Sequence, residues 1–438
     1  MSFDPIGQAL SALNKLAGNE LLHKYGLYQP TQKIAYRATK EGFRAAVAIG
    51  RQWKEAQKLL KPERLPKAQR KNDLFDLSIS EDQQMVRDTA QRFAKEVMRD
   101  AAMKANDAAK APEDFAAQFA ELGLAAFAVP ENLGGAAAES SIVTQVLVAE
   151  DLAYGDMGLA VAALAPIGVA NALAAYGSAD QQAKYLAPFA GDKVPVAALA
   201  IAERRPGFEP RELRTRARID GESYVLTGEK TLVPLATSAE LFLVAAELVG
   251  RGPQIFIVEA ATAGVSVKDD PSMGIRAAGL GSLKLDEVRL PRTALLGEEA
   301  SAVDYEQFLD RSLLAWCALS LGAAQAVLDY VVPYCNDRKA FGEPISHRQA
   351  VAFKVADIAT ELEAMRLLTW RAAARAEEGK PFHREAYLAH VLCTDKGMQI
   401  GTDGVQLLGG HGFTKEHPAE RWYRDLRALG VISGGVFV

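Results

Sequence analysis

Cysteine is scarce: three in 438 residues, Cys317, Cys335 and Cys393, with no CxxC pair and no metal-ligand spacing. This excludes a disulfide-stapled scaffold and fits reduced core thiols of a cytoplasmic protein. Histidine is equally thin, at six residues, and His390 and His411 stand alone without zinc spacing. An excess of positive charge is missing as well. The net charge of −5 argues against nucleic acid as a partner of the whole chain. Neither a GxGxxG turn nor a P-loop occurs, so the common sequence signals for nucleotide phosphates are absent. No long apolar run stands out, and a membrane span is not expected. The first residues, MSFDPIGQALSALNKL, contain an early Asp and lack the basic, apolar, cleavage-site order of a signal peptide. The expected location is cytoplasmic.

What is present is an ordinary globular balance, 49% apolar and 24% charged. At 438 residues the chain is too long for one core and should form two to four domains. Four regions differ in pattern. Residues 1–77 form a basic helical extension; between residues 24 and 71 there are 13 Lys and Arg against three Glu. Such a face docks on an anionic membrane surface or an acidic partner, or is simply a solvated helical hairpin. Residues 78–195 read as helices, opening with the Ser cap of LSISEDQQMVRDTAQRFAKE. Residues 196–298 switch to short Val-, Ile- and Leu-rich segments split by Gly, Asp and Pro, an all-β domain with RIDGESYVLTGEK as a hairpin. Residues 299–438 return to long apolar helices, the first running to Gly342, which bury stripes against one another as a bundle. The fold class is α+β. Lys230, in GEKT, is expected to cap the hairpin.

Seven blocks in this order resemble the acyl-CoA dehydrogenase family: LSISEDQQMVRDTAQRFAKE, FAELGLAAFAVPENLGG, YGSADQQAKYLAPFAGD, RARIDGESYVLTGEKT, LDEVRLPRTALLGE, DRKAFGEPI and QLLGGHGF. The resemblance covers residues 78–435 and implies FAD bound at a subunit interface. It also implies an acyl-CoA thioester as substrate, α,β-dehydrogenation, and electron-transfer flavoprotein as redox partner. It assigns Arg338, Phe341 and Gln349 to one wall of the FAD site, and Gln406, Gly409 and Gly410 to the other. The planar fork of an Arg suits a pyrophosphate, and glycines let the backbone approach closely. Each residue alone also suits a plain role, Arg338 in a surface ion pair and the two glycines as a helix stop.

The flavin-ring half departs from the family pattern. The usual Thr-Glu-Pro and Ser are Ala202, Glu203, Arg204 and Phe208 here. The usual Trp-Ile-Thr is Leu232, Val233 and Pro234, and Pro234 has no N–H to donate. The base is missing too. Counting from Arg424 and Asp425, the position of the catalytic Glu falls on Ser433. The alternative position, thirteen residues before Gln325 on the long helix, falls on Ser312. A lone serine hydroxyl is far too weak a base to take an α-proton. Asp310 is the remaining candidate, although two residues along a helix turn it about 200° from position 312.

Three functions follow from this reading. The chain is an acyl-CoA dehydrogenase with an unusual base. Or it is a catalytically silent subunit, forming a homo-oligomer or pairing with an active homologue. Or it is a flavin monooxygenase-like relative, which needs no such base.

Overall fold

The computed structural model describes residue 75 and residues 78–136, 141–191, 193–297 and 303–438. The basic extension, with its expected membrane or acidic-partner contact through residues 24–71, lies outside the described residues.

The helical region opens with α1 (Glu81–Phe93), which passes through a π-turn, Ala94–Met98, into α2 (Arg99–Ala108). Ser80 caps α1 in a reciprocal box with Gln83, as its sequence signature predicts. After α3 (Phe115–Ala120) come α4 (Ile142–Gly155) and α5 (Met157–Tyr176). Asp156 separates the last two. Its extended backbone ends α4, and its carboxylate accepts from Leu159 N at 2.9 Å to start α5. α5 has no charged residue, and by length and composition it could cross a membrane. This corrects the expectation that no such run exists. The helix is instead the axis of the core, with 89% of its apolar window buried, as a helix apolar on every side must be.

Seven strands follow: β1 (Ala197–Ala200), β2 (Arg216–Asp220), β3 (Ser223–Val233), β4 (Leu241–Leu248), β5 (Gly252–Glu259), β6 (Val265–Asp269) and β7 (Gly281–Pro291). They form one sheet in the order β1-β4-β2-β3-β7-β6, with β5 on the free edge of β4. β2 and β3 make the expected hairpin. The sheet buries two faces. Tyr224, Phe242 and Phe256 fill an interior on one side, while Leu199, Leu243 and Ile257 pack on the helices on the other. Alternation along each strand produces this division. The β3–β7 register slips between Lys230 and Val233. There Leu232 takes φ +53°, a left-handed backbone held by a non-glycine residue. Such strain collects at functional sites.

The C-terminal region is built on α6 (Tyr305–Asp337), α7 (Gln349–Glu377), α8 (His383–Leu408) and α9 (Ala419–Leu426). α6 ends at Asp337, not at Gly342. The intervening residues form a two-stranded hairpin, β8 (Lys339–Ala340) with β9 (Glu343–Pro344), turning at Gly342. α6 lies against α4 so closely that a Cβ at Gly322 would meet the Glu150 carbonyl at 2.0 Å. After α9 the chain enters the core: Ile432, Val436, Phe437 and Val438 are all buried.

Candidate functional site

Five pieces of chain meet around a cavity of about 740 Å³. They are the loop after β1, the irregular end of β3, the first turns of α6 and α8, and residues 429–434. Ser433, Ser312, Asp310, Ala202, Phe208 and Leu232 all border it. Sequence reasoning singled out these positions from four separate stretches of sequence, and the fold brings them together.

The loop is anchored from beneath. Lys230, fully buried, donates to Glu203 Oε1 at 2.9 Å and to the Ile201 carbonyl at 3.1 Å. Burial pushes its ammonium down to about 8, against the pull of Glu203. Glu203 also accepts from Arg214 N and Thr215 N, each at 2.8 Å. Burial would raise this carboxyl, but Lys230 and the two amides outweigh it and hold it below the usual range. Lys230 is therefore half of a buried ion pair, not a hairpin cap. Arg204, at the family's Pro position, donates to Asp270 Oδ1 at 2.7 Å. Asp270 also accepts from the Thr231 hydroxyl and from Leu232 N. The Arg205 guanidinium lies 5.4 Å from the Phe208 ring centroid, a cation–π contact that steadies the ring at the cavity edge.

Among the described residues, neither serine hydroxyl is hydrogen-bonded to a base. Ser433 is half-buried. Ser312 is buried, and its hydroxyl has no hydrogen-bond partner among the described residues. Asp310 also borders the cavity. Its buried carboxylate meets His383 Nδ1 at 2.9 and 3.0 Å. Burial raises the Asp310 carboxyl while His383 opposes the rise. His383 is the residue that sequence reasoning missed. It lies 73 positions from its partner, and no motif surrounds it.

The residues assigned to the cofactor's ADP half gather elsewhere. Arg338 closes α6, Phe341 sits in the β8–β9 turn, Gln349 opens α7, and Gln406, Gly409 and Gly410 end α8. Tyr334 ties two of these groups together, donating to the Leu408 carbonyl at 3.2 Å and touching His411 Nδ1 at 2.9 Å. His411 in turn stacks on His417 with centroids 5.1 Å apart, so it does not stand alone as its sequence surroundings suggest. All six candidates are exposed, Phe341 at 95%, and no Cβ at Gly409 or Gly410 would meet anything within 4 Å. Open backbone, two amides and an Arg suit an anionic diphosphate, so this donor set fits the ADP half. The ring half fits less well, because Ala202 and Pro234 offer no side-chain donor and Pro234 no amide. Along α6, Ser312 and Arg338 are separated by about 39 Å at 1.5 Å per residue. One bound dinucleotide cannot reach both places within one chain.

Arg424 and Asp425, from which the base position was counted, clamp the helices to the sheet. Asp425 Oδ1 accepts from Ile275 N at 2.6 Å and Arg424 donates to the Met273 carbonyl at 2.7 Å. Nearby, Arg421 pairs with Asp156 at 3.0 Å. Burial, with Asp156 adding to it, pushes the Asp425 carboxyl up to about 7.

Three family descriptions match the chain in order: "Acyl-CoA dehydrogenase, N-terminal domain" at residues 80–193, "middle domain" at 198–288 and "C-terminal domain" at 305–435. A mitochondrial short-chain specific acyl-CoA dehydrogenase of Bos taurus is 34% identical over 370 residues, 82% of this chain and 88% of that protein. A probable acyl-CoA dehydrogenase of Bacillus subtilis is 30% identical over 372 residues, 82% and 96% of the two chains. Among solved structures, butyryl-CoA dehydrogenase from Megasphaera elsdenii superposes with a TM-score of 0.74 at 27% identity, covering 81% of this chain and 95% of that one.

Proposed function

The chain belongs to the acyl-CoA dehydrogenase family, and from that premise we propose that it binds FAD and an acyl-CoA thioester but dehydrogenates poorly or not at all alone. One observation carries the reading. Both positions where the family's base is expected, Ser433 and Ser312, border the cavity, and neither offers a carboxylate. Bound FAD supplies the hydride acceptor. Every other demand falls on the chain, and for taking the α-proton it has no group in either expected place. The orphaned Ser312 hydroxyl remains suited to donate a hydrogen bond to a bound ligand. The 39 Å separation along α6 supports a second subunit, a copy or an active homologue, lending Arg338, Phe341 and the open glycines to a shared site. Electron-transfer flavoprotein is the redox partner wherever such a pair turns over.

A second reading rests on Asp310 and His383. A histidine held through Nδ1 by a buried carboxylate is a competent proton acceptor at Nε2. No partner for that nitrogen occurs among the described residues. Under this reading the chain is a working dehydrogenase with a relocated base.

The absorbance spectrum of the purified protein, before and after adding butyryl-CoA, separates the two readings. A flavin band that persists supports the silent subunit. Rapid bleaching, lost in His383→Gln, supports the relocated base. A colourless protein that takes up no added FAD overturns both.

A further inference from the structure

The groups replaced around the cavity of about 740 Å³ are those that serve a flavin. The groups found there suit a different reaction, attack on a carbonyl. Ser433, His383 and Asp310 all border this cavity. His383 Nδ1 is held 2.9 Å from the Asp310 carboxylate. A nucleophilic serine needs an imidazole held in this way.

The loop that carries Ser433 is strung between the two helices that carry the pair. The His390 ring, two turns beyond His383 on α8, bonds to the backbone of Leu429. At the other end of the loop, Trp316 Nε1 on α6 donates to the Gly434 carbonyl at 2.6 Å. Asp310 and Trp316 are about 9 Å apart along α6. Ser433 and the Asp310–His383 pair therefore border the cavity from the two ends of a short interval. On α6 Ser312 lies within that interval, and its buried hydroxyl has no partner among the described residues. Gly434 and Gly435 take φ +81° and +87°, left-handed backbone that glycine adopts freely. Both are buried, and neither amide donates a hydrogen bond among the described residues. Buried donors call for an acceptor, and an oxyanion formed beside Ser433 would be one.

We propose that this chain hydrolyses acyl thioesters, with Ser433 as nucleophile, His383 as general base and acid, and Asp310 as the positioning residue that holds the ring. The inference rests on the reading that the cavity receives an acyl-CoA thioester. Ser433 Oγ adds to the carbonyl carbon while His383 Nε2 takes its proton. The carbonyl oxygen becomes an oxyanion, for which the Ser312 hydroxyl and the glycine amides are donors. As the oxyanion collapses, the C–S bond breaks and the sulfur leaves with the proton from His383, as the free CoA thiol. Water then adds to the serine ester and gives a proton to His383. The ester C–O bond breaks, and Ser433 recovers the proton. One thioester and one water become one carboxylic acid and one thiol, and no electrons are transferred. A serine too weak to take an α-proton thus serves as a nucleophile once its own proton has an acceptor.

Thiol release from butyryl-CoA, followed with a chromogenic aromatic disulfide, tests this on the full-length protein with and without added FAD. Turnover is expected to be the same in both. It should fall by about 10²-fold or more in Ser433→Ala and in His383→Gln. Asp310→Asn should lose most of the rate, and Asp310→Glu should recover part of it. In acid-quenched wild-type protein the peptide containing Ser433 should carry a butyryl group. Wild-type protein that binds butyryl-CoA in calorimetry but releases no thiol above the buffer rate overturns the proposal, and leaves the thioester reading standing. Release that persists undiminished in folded Ser433→Ala, or that requires added FAD, overturns it as well. Wild-type protein that binds no thioester sinks that reading and this inference with it.

Discussion

The two ends of α6 face opposite demands. At its C-terminal end, Arg338, Phe341 and the neighbouring Gly409 and Gly410, which the family resemblance assigns to the cofactor's ADP half, are exposed. At its N-terminal end the family's hydroxyls, indole and base are replaced, and the surroundings are packed: Arg204 on Asp270, Arg205 over Phe208, Phe437 on Phe308. On the proposed reading, recognition of a cofactor's diphosphate and the chemistry of its ring are separable in this chain. The first needs open donors on the surface. The second needs a few groups placed within hydrogen-bond reach of a reacting atom, and it can be lost while the first is kept.

The largest expected effect breaks the contrast from the chemical side. Ser433→Glu restores a carboxylate at the counted base position, and flavin bleaching by butyryl-CoA should accelerate by about 10²–10⁴-fold, the usual range for a placed base. If stopped-flow absorbance shows no gain, the fault moves to Phe208 and Pro234. Next in size is Lys230→Met. It leaves Glu203 buried without its cation and should cost about 3–5 kcal/mol in urea unfolding. Arg338→Ala, at the other end of α6, should change unfolding by less than about 0.5 kcal/mol. Its effect should appear instead in FAD affinity, weakened by about 1.5–3 kcal/mol for a lost charged hydrogen bond, read by flavin titration. The smallest effect belongs to Asp425. Its folded carboxyl is raised to about 7, above its unfolded value, so the folded state holds a proton that the unfolded state releases. That contribution is fully present at low pH and is lost as pH rises through about 7. The wild-type melting temperature should carry a component that falls between about pH 4 and 7. Asp425→Asn, which can still accept from Ile275 N, should flatten it.

Much of the fold was legible because it is written locally. The Ser80 box, the β2–β3 hairpin and the change from helical to strand period each lie within a few residues. The end of α6 was misplaced by five residues because DRKAFG continues the helix's composition, and the short β8–β9 pairing decides against it. The site was half legible. The serines and the ADP-side residues follow from spacing against a family pattern. The pairing of Asp310 with His383, the burial of Lys230 on Glu203, and the passage of residues 434–438 between α5 and α6 depend on which elements pack together. Residues 27 and 73 positions apart carry no sign of one another in a single sequence.

The length of α6 has a consequence for mixtures. Where two chains complete each other's sites, a chain damaged only at Arg338 and a chain damaged only at the Ser312 end are not equivalent defects. Paired, they place both lesions in one site and leave the other site whole. Co-expressed single mutants would then recover up to half of the FAD-binding capacity that neither mutant has alone, a complementation that follows from one helix being too long for one cofactor to span.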